Sequence, residues 1–299
     1  MTIENGKFWE KSWNPIRVKG GGYFCTKISP GCANCWSEAF NLRFGNSLLF
    51  DNRQVEFVLD QRILEQPLHW KKPRIVAVQW LGDLFHKQIP DIFITYIWLE
   101  MSMNPQHTFL VLTKRPERMS QWCYNIQHLS IMDIKPIGLF ADSFWPIPNL
   151  WLGVSVSTQQ EADEKIPILL QTPAKHRFVN FEPLLEAVRP WDHSPDDCPT
   201  WYDGCNCQEG IDWVLVGAES GPGRRPMKLE WARNIVDQCK AAGVPLWIKQ
   251  IEVGRDINPR PNKHGDVTWD VVTRVSHDMN EFPKASALGS GRGDLTLGL

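Results

Sequence analysis

The sequence has little of what would place it in a membrane or a secretory route. It contains no stretch of about 18 uninterrupted apolar residues, and its opening MTIENGKFWEKSWNP has no basic segment leading into an apolar one. The expectation is a soluble, cytoplasmic protein with no membrane partner. An excess of one charge is also missing, since 32 Lys and Arg face 34 Asp and Glu for a net charge of −2. That balance excludes a basic field able to hold nucleic acid nonspecifically, so any nucleic-acid contact must be local. No glycine-rich dinucleotide fingerprint follows a strand-like run, which argues against a Rossmann-type sheet. Internal repeats and low-complexity tracts are absent. Eight cysteines in 299 residues do not make a small secreted disulfide scaffold. In a cytosolic chain, clustered thiols more often bind metal or do chemistry.

What the sequence does contain is a series of short apolar runs rich in β-branched residues. They are RIVAVQW from Arg74, HTFLVLT from His107, LWLGVSV from Leu150, HRFVNFE from His176, DWVLVGAE from Asp212 and PLWIKQ from Pro245. Helix-like segments lie between them at Asp91–Met103, Arg115–Tyr124, Gln159–Leu170 and Lys228–Ala242. An earlier strand is expected near Ser12–Val18, with helices near Ser37–Phe44 and Asp60–His69. Hydrophobic strands that alternate with helices imply a parallel sheet covered by helices. About six or seven such units predict an α/β fold with a partial or full (βα) TIM-type barrel, an open doubly wound sheet being the alternative. The expected organisation is a barrel over residues 1–254, with a Cys-containing insertion near 190–210, and a C-terminal extension over 255–299. Fifteen tryptophans are many for this length and are expected in the core or in pocket walls.

In a barrel the site lies at the C-terminal ends of the strands. Those ends carry Asp83, Lys114 and Arg115 in TKRP, Ser155 in SVS, Glu182 in EPLL, Glu219 and Ser220 in ESGPG, and Lys249 in KQ. Together they read as one shared pocket, although a strand-end Asp, Ser or Glu also serves as an ordinary helix cap. Ahead of them, FCTKISPGCANCWSEAF sets Cys25, Cys32 and Cys35 within eleven residues. Structural zinc normally takes four ligands, often as two CxxC pairs, and only Cys32 and Cys35 form such a pair. A redox dithiol would use that pair and leave Cys25 without a role. An iron–sulfur cluster on three thiolates leaves one iron open to a further ligand. Spacing leaves all three open. Pro30 and Gly31 suit a loop that turns closely around a cofactor.

The cysteine stretch, with SWNPI, WKKPRIVAV, GDLFHKQIPD, HTFLVLTKRPERM, NLWLGVSV, RFVNFEPLLE, DWVLVGAESGPGRRPM and AAGVPLWIKQ, resembles the phage Gp37/Gp68 (three-cysteine-motif) family, a divergent radical S-adenosylmethionine (SAM)-like family. The similarity runs from about residue 12 to 251. The spacing C-x6-C-x2-C differs from the usual radical SAM CxxxCxxC, GAESG stands where GGESG is common, and Trp36 stands where a tyrosine often follows the last cysteine. The resemblance implies a [4Fe-4S] cluster on Cys25, Cys32 and Cys35, with SAM on the open iron. An electron donor would drive its cleavage to methionine and a 5′-deoxyadenosyl radical. In that chemistry Asp83 is the candidate for the SAM ammonium, and Ser155 and Glu182 for its ribose or carboxylate. Trp36, Glu219 and Ser220 are further cofactor candidates. Lys114 and Arg115 suit the SAM carboxylate or a substrate anion, and with Arg224, Arg225 and Lys249 they form the candidate substrate-binding set.

The phage association of the family makes nucleic acid the expected partner. The expected reaction is radical modification or rearrangement of a base substituent, such as a hypermodified thymine of phage DNA, in the cytoplasm of an infected bacterial cell. A radical DNA-lesion repair lyase is a second reading. A non-catalytic, zinc-stabilised nucleic-acid or partner-binding protein is a third. Cys198, Cys205 and Cys207, with Cys239 as a fourth ligand, form a candidate second metal group or a loop of unliganded thiols. Cys123 is expected to be a buried apolar residue, and His107 and His176, at strand starts, to be structural.

Overall fold

Along the chain of the computed structural model, which describes residues 8–132, 145–190, 210–221 and 223–250, strands and helices alternate. The elements are β1 (Lys11–Trp13), β2 (Ile16–Val18), α1 (Trp36–Phe44), β3 (Phe57–Leu59), α2 (Gln61–Leu64), β4 (Ile75–Val78), α3 (Asp91–Met103), β5 (Thr108–Thr113) and α4 (Pro116–Met132). They continue with β6 (Leu150–Ser155), α5 (Gln159–Gln171), β7 (His176–Phe181), β8 (Trp213–Gly217), α6 (Leu229–Ala242) and β9 (Leu246–Gln250). Seven strands form one sheet in the order β1-β4-β5-β6-β7-β8-β9, every neighbouring pair parallel. The sheet curls into a half-barrel flanked by helices and, among the described residues, stays open between β1 and β9.

The strands are apolar on both faces because both faces are covered. Residues of one parity, among them Val76, Val78, Phe109, Val111, Leu152, Val154, Val179, Phe181, Val214 and Val216, belong to the core shared with the helices. The other parity points into the concave side. There Leu110, Trp151, Phe178, Trp213, Leu215 and Trp247 form a second core, which Phe8 joins from the N-terminal segment. The rings of Phe8 and Trp213 meet edge to face at 5.2 Å between centroids. An unclosed barrel leaves a wide concave space, and large aromatic side chains fill it, each contributing about 2–3 kcal/mol by burial.

Two prolines redraw the expected elements. The strand expected over Ser12–Val18 is divided at Asn14–Pro15: β1 joins the large sheet beside β4, while β2 turns away and pairs antiparallel with β3. Proline offers no N–H with which to continue a ladder. The helix expected over Asp60–His69 is divided too, into the single turn of α2 and a 3₁₀ turn at Gln66–His69 that starts around Pro67. Helix α4 runs on to Met132, past the expected end at Tyr124. Helix α5 is capped by Thr158, whose hydroxyl accepts from Glu161 N at 3.3 Å. Thr158→Ala should therefore cost about 1 kcal/mol in urea denaturation, and a change below about 0.3 kcal/mol would remove the cap from this account.

Candidate functional site

Toward the C-terminal ends of the strands the inward-facing residues change from aromatic to polar. On β7 the inward parity passes from Phe178 to Asn180 and on to Glu182; on β6 it passes from Trp151 through Gly153 to Ser155. Leu110 and Leu112 of β5 are followed by Lys114, and Trp247 of β9 by Lys249. These polar ends, with Asp83, Arg115, Glu219 and Ser220, line one cavity of about 150 Å³ whose wall also contains Cys25, Cys32, Cys35 and Trp36. Trp9, Trp80 and Leu112 line it as well and connect it to the inner aromatic core. The Trp9 and Trp80 rings lie 5.1 Å apart, and the Lys249 ammonium sits 5.7 Å from the Trp9 ring.

Trp80 owes its position to a backbone turn at Gln79. That residue has φ of 55°, a left-handed conformation outside the usual range for a side chain of this size. Its amide holds the turn by accepting from Ile16 N at 3.0 Å and donating to Ile16 O at 2.8 Å. The Trp80 indole N–H then donates to Leu110 O at 3.1 Å.

Two ion pairs clamp the cysteine loop from opposite sides. On one side the Asp83 carboxylate accepts from Phe85 N at 2.9 Å, Thr113 Oγ1 at 2.7 Å, Lys114 N at 3.1 Å and Arg115 Nη1 at 2.7 Å. Arg115 in turn donates to Thr26 O at 3.0 Å and Thr26 Oγ1 at 2.8 Å, and its Nη1 lies 3.6 Å from Cys25 Sγ. His86 Nε2 sits 3.2 Å from the same Thr26 hydroxyl. On the other side Glu219 accepts from Arg225 Nη2 at 2.6 Å, Arg225 N at 2.7 Å and Asn34 Nδ2 at 2.9 Å, while Arg225 Nη2 also donates to Pro30 O at 2.9 Å. The loop is pinned at Thr26 and again at Pro30 and Asn34. Between them Gly31 packs so closely on the segment that follows β6 that a Cβ there would lie 2.2 Å from Ser157 Oγ.

The surroundings give the three thiols different acidities. Burial pushes Cys25 up to about 12, an effect Arg115 only partly offsets. Burial also raises Cys35. Burial opposes ionisation of Cys32 too, but the Lys114 ammonium and hydrogen bonds from Ile28 and Ser29 outweigh it and hold the thiol below its usual range. Lys114 donates to Ser155 Oγ at 2.7 Å. Burial and then Arg115 push His86 down to about 4, which leaves it a neutral imidazole at neutral pH.

The donor chemistry fits a thiophilic metal group. Three sulfurs share one wall, and cations beside two of them offset thiolate charge. As they stand, no three His, Cys, Asp or Glu side chains among the described residues are gathered into a metal-holding group. The thiols share a cavity, not a ready coordination sphere.

Most of the residues singled out in the sequence line this cavity, and several of them also pair with other groups of the protein. Asp83 was expected to receive the SAM ammonium. Its two oxygens already accept four hydrogen bonds from the protein, which makes it an anchor for Arg115. Glu219 is likewise occupied by Arg225 and Asn34, and Glu182 by Lys249 at 2.5 Å. Arg115 and Arg225, expected at substrate, are held by the two clamps; neither Arg224 nor Arg225 lines the cavity. Cys239 was expected as a fourth ligand of a second metal group, yet it lies in the apolar core on the buried face of α6, where burial drives its pKa up. Cys198, Cys205 and Cys207 lie outside the described residues, as does the extension over 255–299. Cys123 is buried in the same core. His107 is buried with Nε2 3.1 Å from Pro67 O, and His176 stacks on Trp151.

The sequence reading missed Trp9, Asn34, Trp80 and Asn180. Asn180 had a usable signal, as a polar residue inside an apolar strand on the parity of Glu182. It is buried, lines the cavity, and its Oδ1 has no hydrogen-bond partner among the described residues.

Fold and site together define an α/β protein with a parallel half-barrel sheet and a cysteine-walled cavity at its polar strand ends. The chain belongs to the family described as a protein of unknown function (DUF5131), which matches residues 4–278. No curated protein and no solved structure matches it. Among the described residues no helix is long and apolar enough to cross a membrane.

Proposed function

We propose that this protein is a radical SAM enzyme that acts on a nucleic-acid base, a relative of the phage Gp37/Gp68 family working in the cytoplasm of an infected cell. The observation that carries this reading is that Cys25, Cys32 and Cys35 line the same cavity as the polar ends of the parallel strands. Those three residues would hold a [4Fe-4S] cluster and leave one iron for SAM. When bound, cluster and SAM supply one-electron cleavage of the sulfonium C–S bond, and with it a way to take hydrogen from an unactivated carbon.

The chain's own residues prepare the place. Lys114 favours the Cys32 thiolate, and Arg115, fixed by Asp83 and Thr26, directs an N–H toward the Cys25 sulfur. Glu219 and Arg225 fix the other arm of the loop. The floor of Trp9, Trp80 and Leu112 keeps water from below, which protects a reactive intermediate. Ser155, Asn180 and the Glu182–Lys249 pair supply the polar wall against which cofactor and base are oriented.

The test is anaerobic reconstitution of wild type and Cys32→Ala, with iron and sulfide quantified and 5′-deoxyadenosine assayed after dithionite and SAM are added. Wild type should bind about four irons at this site and release 5′-deoxyadenosine, and Cys32→Ala should fall to background in product. Zinc in place of iron, with no SAM cleavage, would sink the proposal and favour a binding protein.

A further inference from the structure

Helix α1 is inside out. Its buried residues are polar, Ser37, Glu38 and Asn41, while Trp36, Phe40 and Phe44 are 46%, 39% and 64% exposed. The buried polar groups are all engaged. Ser37 Oγ donates to Leu81 O at 2.7 Å, Glu38 accepts from Phe50 N at 2.8 Å and pairs with Lys27, and Asn41 accepts from Tyr23 N at 2.8 Å and donates to Leu48 O at 3.2 Å. These bonds fix which face points inward, so the aromatic face is left in solvent. A surface helix ordinarily does the reverse.

The three aromatics recur at every fourth residue, a backbone rise of about 6 Å each time, and form one stripe. Phe40 and Phe44 are 5.2 Å apart, and the Arg43 guanidinium lies 4.8 Å from the Phe44 ring. The stripe begins in the cavity wall, because Trp36 lines the cavity immediately after Cys35. Its only acidic neighbour on α1, Glu38, faces inward and is neutralised by Lys27, so the exposed face carries one charge, that of Arg43.

We infer that this stripe is a stacking track for single-stranded DNA, holding the nucleotides that flank the base admitted to the cavity. π-Faces in a row with a cation beside them are what a sequence-tolerant single-strand site requires. A second copy of the chain fits less well, since the three rings expose roughly 300 Å², well under the roughly 800 Å² per partner of a stable dimer. The inference rests on the reading that the cavity acts on a nucleic-acid base.

The test uses a short fluorescein-labelled single-stranded oligodeoxynucleotide and fluorescence anisotropy, with no SAM and no reductant. Wild type should bind, and the double variant Phe40→Ala, Phe44→Ala should bind at least about 30-fold more weakly, the lower end for two lost stacking partners. Both side chains are exposed, so circular dichroism of the variant should match wild type, and the double variant Phe40→Trp, Phe44→Trp should restore binding. Arg43→Gln should lower the slope of log affinity against log salt by about 1. Equal binding by wild type and the alanine variant, or no binding by wild type, overturns the inference. So does a wild-type dimer in sedimentation that the alanine variant converts to monomer, which would give the stripe to a second copy. Oligonucleotide binding without 5′-deoxyadenosine formation would sink the radical reading and leave the track; product without binding would do the opposite.

Discussion

Asp83→Ala should destabilise the protein by about 3–5 kcal/mol in urea denaturation, because it removes one partner of a buried ion pair. Asp83 and Arg115 have side chains only 6% and 12% exposed and meet at 2.7 Å. The variant strands the guanidinium in a place poor in water. It also deprives Phe85 N, Thr113 Oγ1 and Lys114 N of their shared acceptor. Adding Arg115→Met should recover part of the loss, since an apolar pair tolerates the site better than a lone charge. A single-variant cost below about 1 kcal/mol would mean that the pair is not the strut described here. The pH dependence has a definite sign. Burial opposes ionisation of Asp83, but Arg115 and the donated hydrogen bonds outweigh it and hold the folded-state pKa below the ordinary value of 3.8. A depressed carboxylate contributes stability that is fully present above its unfolded value and is lost as pH falls through the folded one. The wild type should therefore lose this contribution only below about pH 4, and Asp83→Ala should flatten that limb of the stability profile.

Gly153→Ala should cost about 1–3 kcal/mol by overpacking, measured in the same way. Gly153 lies between Leu112 of β5 and Phe178 of β7, and a Cβ there would be 2.5 Å from two Phe178 ring carbons and 2.6 Å from a third. The ring is fully buried in the inner core with Trp213 and Leu215, so it cannot swing away into solvent. Phe178→Leu should make the alanine cheaper, and the two substitutions should couple by more than about 0.5 kcal/mol. Strict additivity would show that the ring does not rest on Gly153. Because Phe178 lies one inward position below Asn180, the same variant should also disturb the polar wall of the cavity.

Much of the architecture was legible in the sequence because strand alternation is a local property. RIVAVQW, HTFLVLT and LWLGVSV each mark a strand covered on both faces, and β4, β5 and β6 fall within them. Two of the departures came at prolines, where a missing N–H at Pro15 and Pro67 overrode the surrounding propensity. The candidate site was legible as a list of groups: three thiols in a short loop and polar residues at strand ends. Their employment was not. Asp83 and Arg115 are 32 positions apart, and Glu182 and Lys249 are 67 apart. No local pattern announces that these charges pair with each other across the cavity wall.

Helix α1 marks the same boundary. Trp36, Phe40 and Phe44 at helical spacing are visible in the sequence, and in isolation they read as a core-facing stripe. The face that turns inward was chosen by partners elsewhere in the chain: Leu81 O for Ser37, Phe50 N and Lys27 for Glu38, Tyr23 N for Asn41. By itself the sequence determined the alternating sheet, the covering helices and the inventory of chemical groups, because periodicity and turn chemistry act over a few residues. The tertiary structure alone decided which groups consume one another and which stay free, because a buried polar atom must find a partner wherever the fold delivers one.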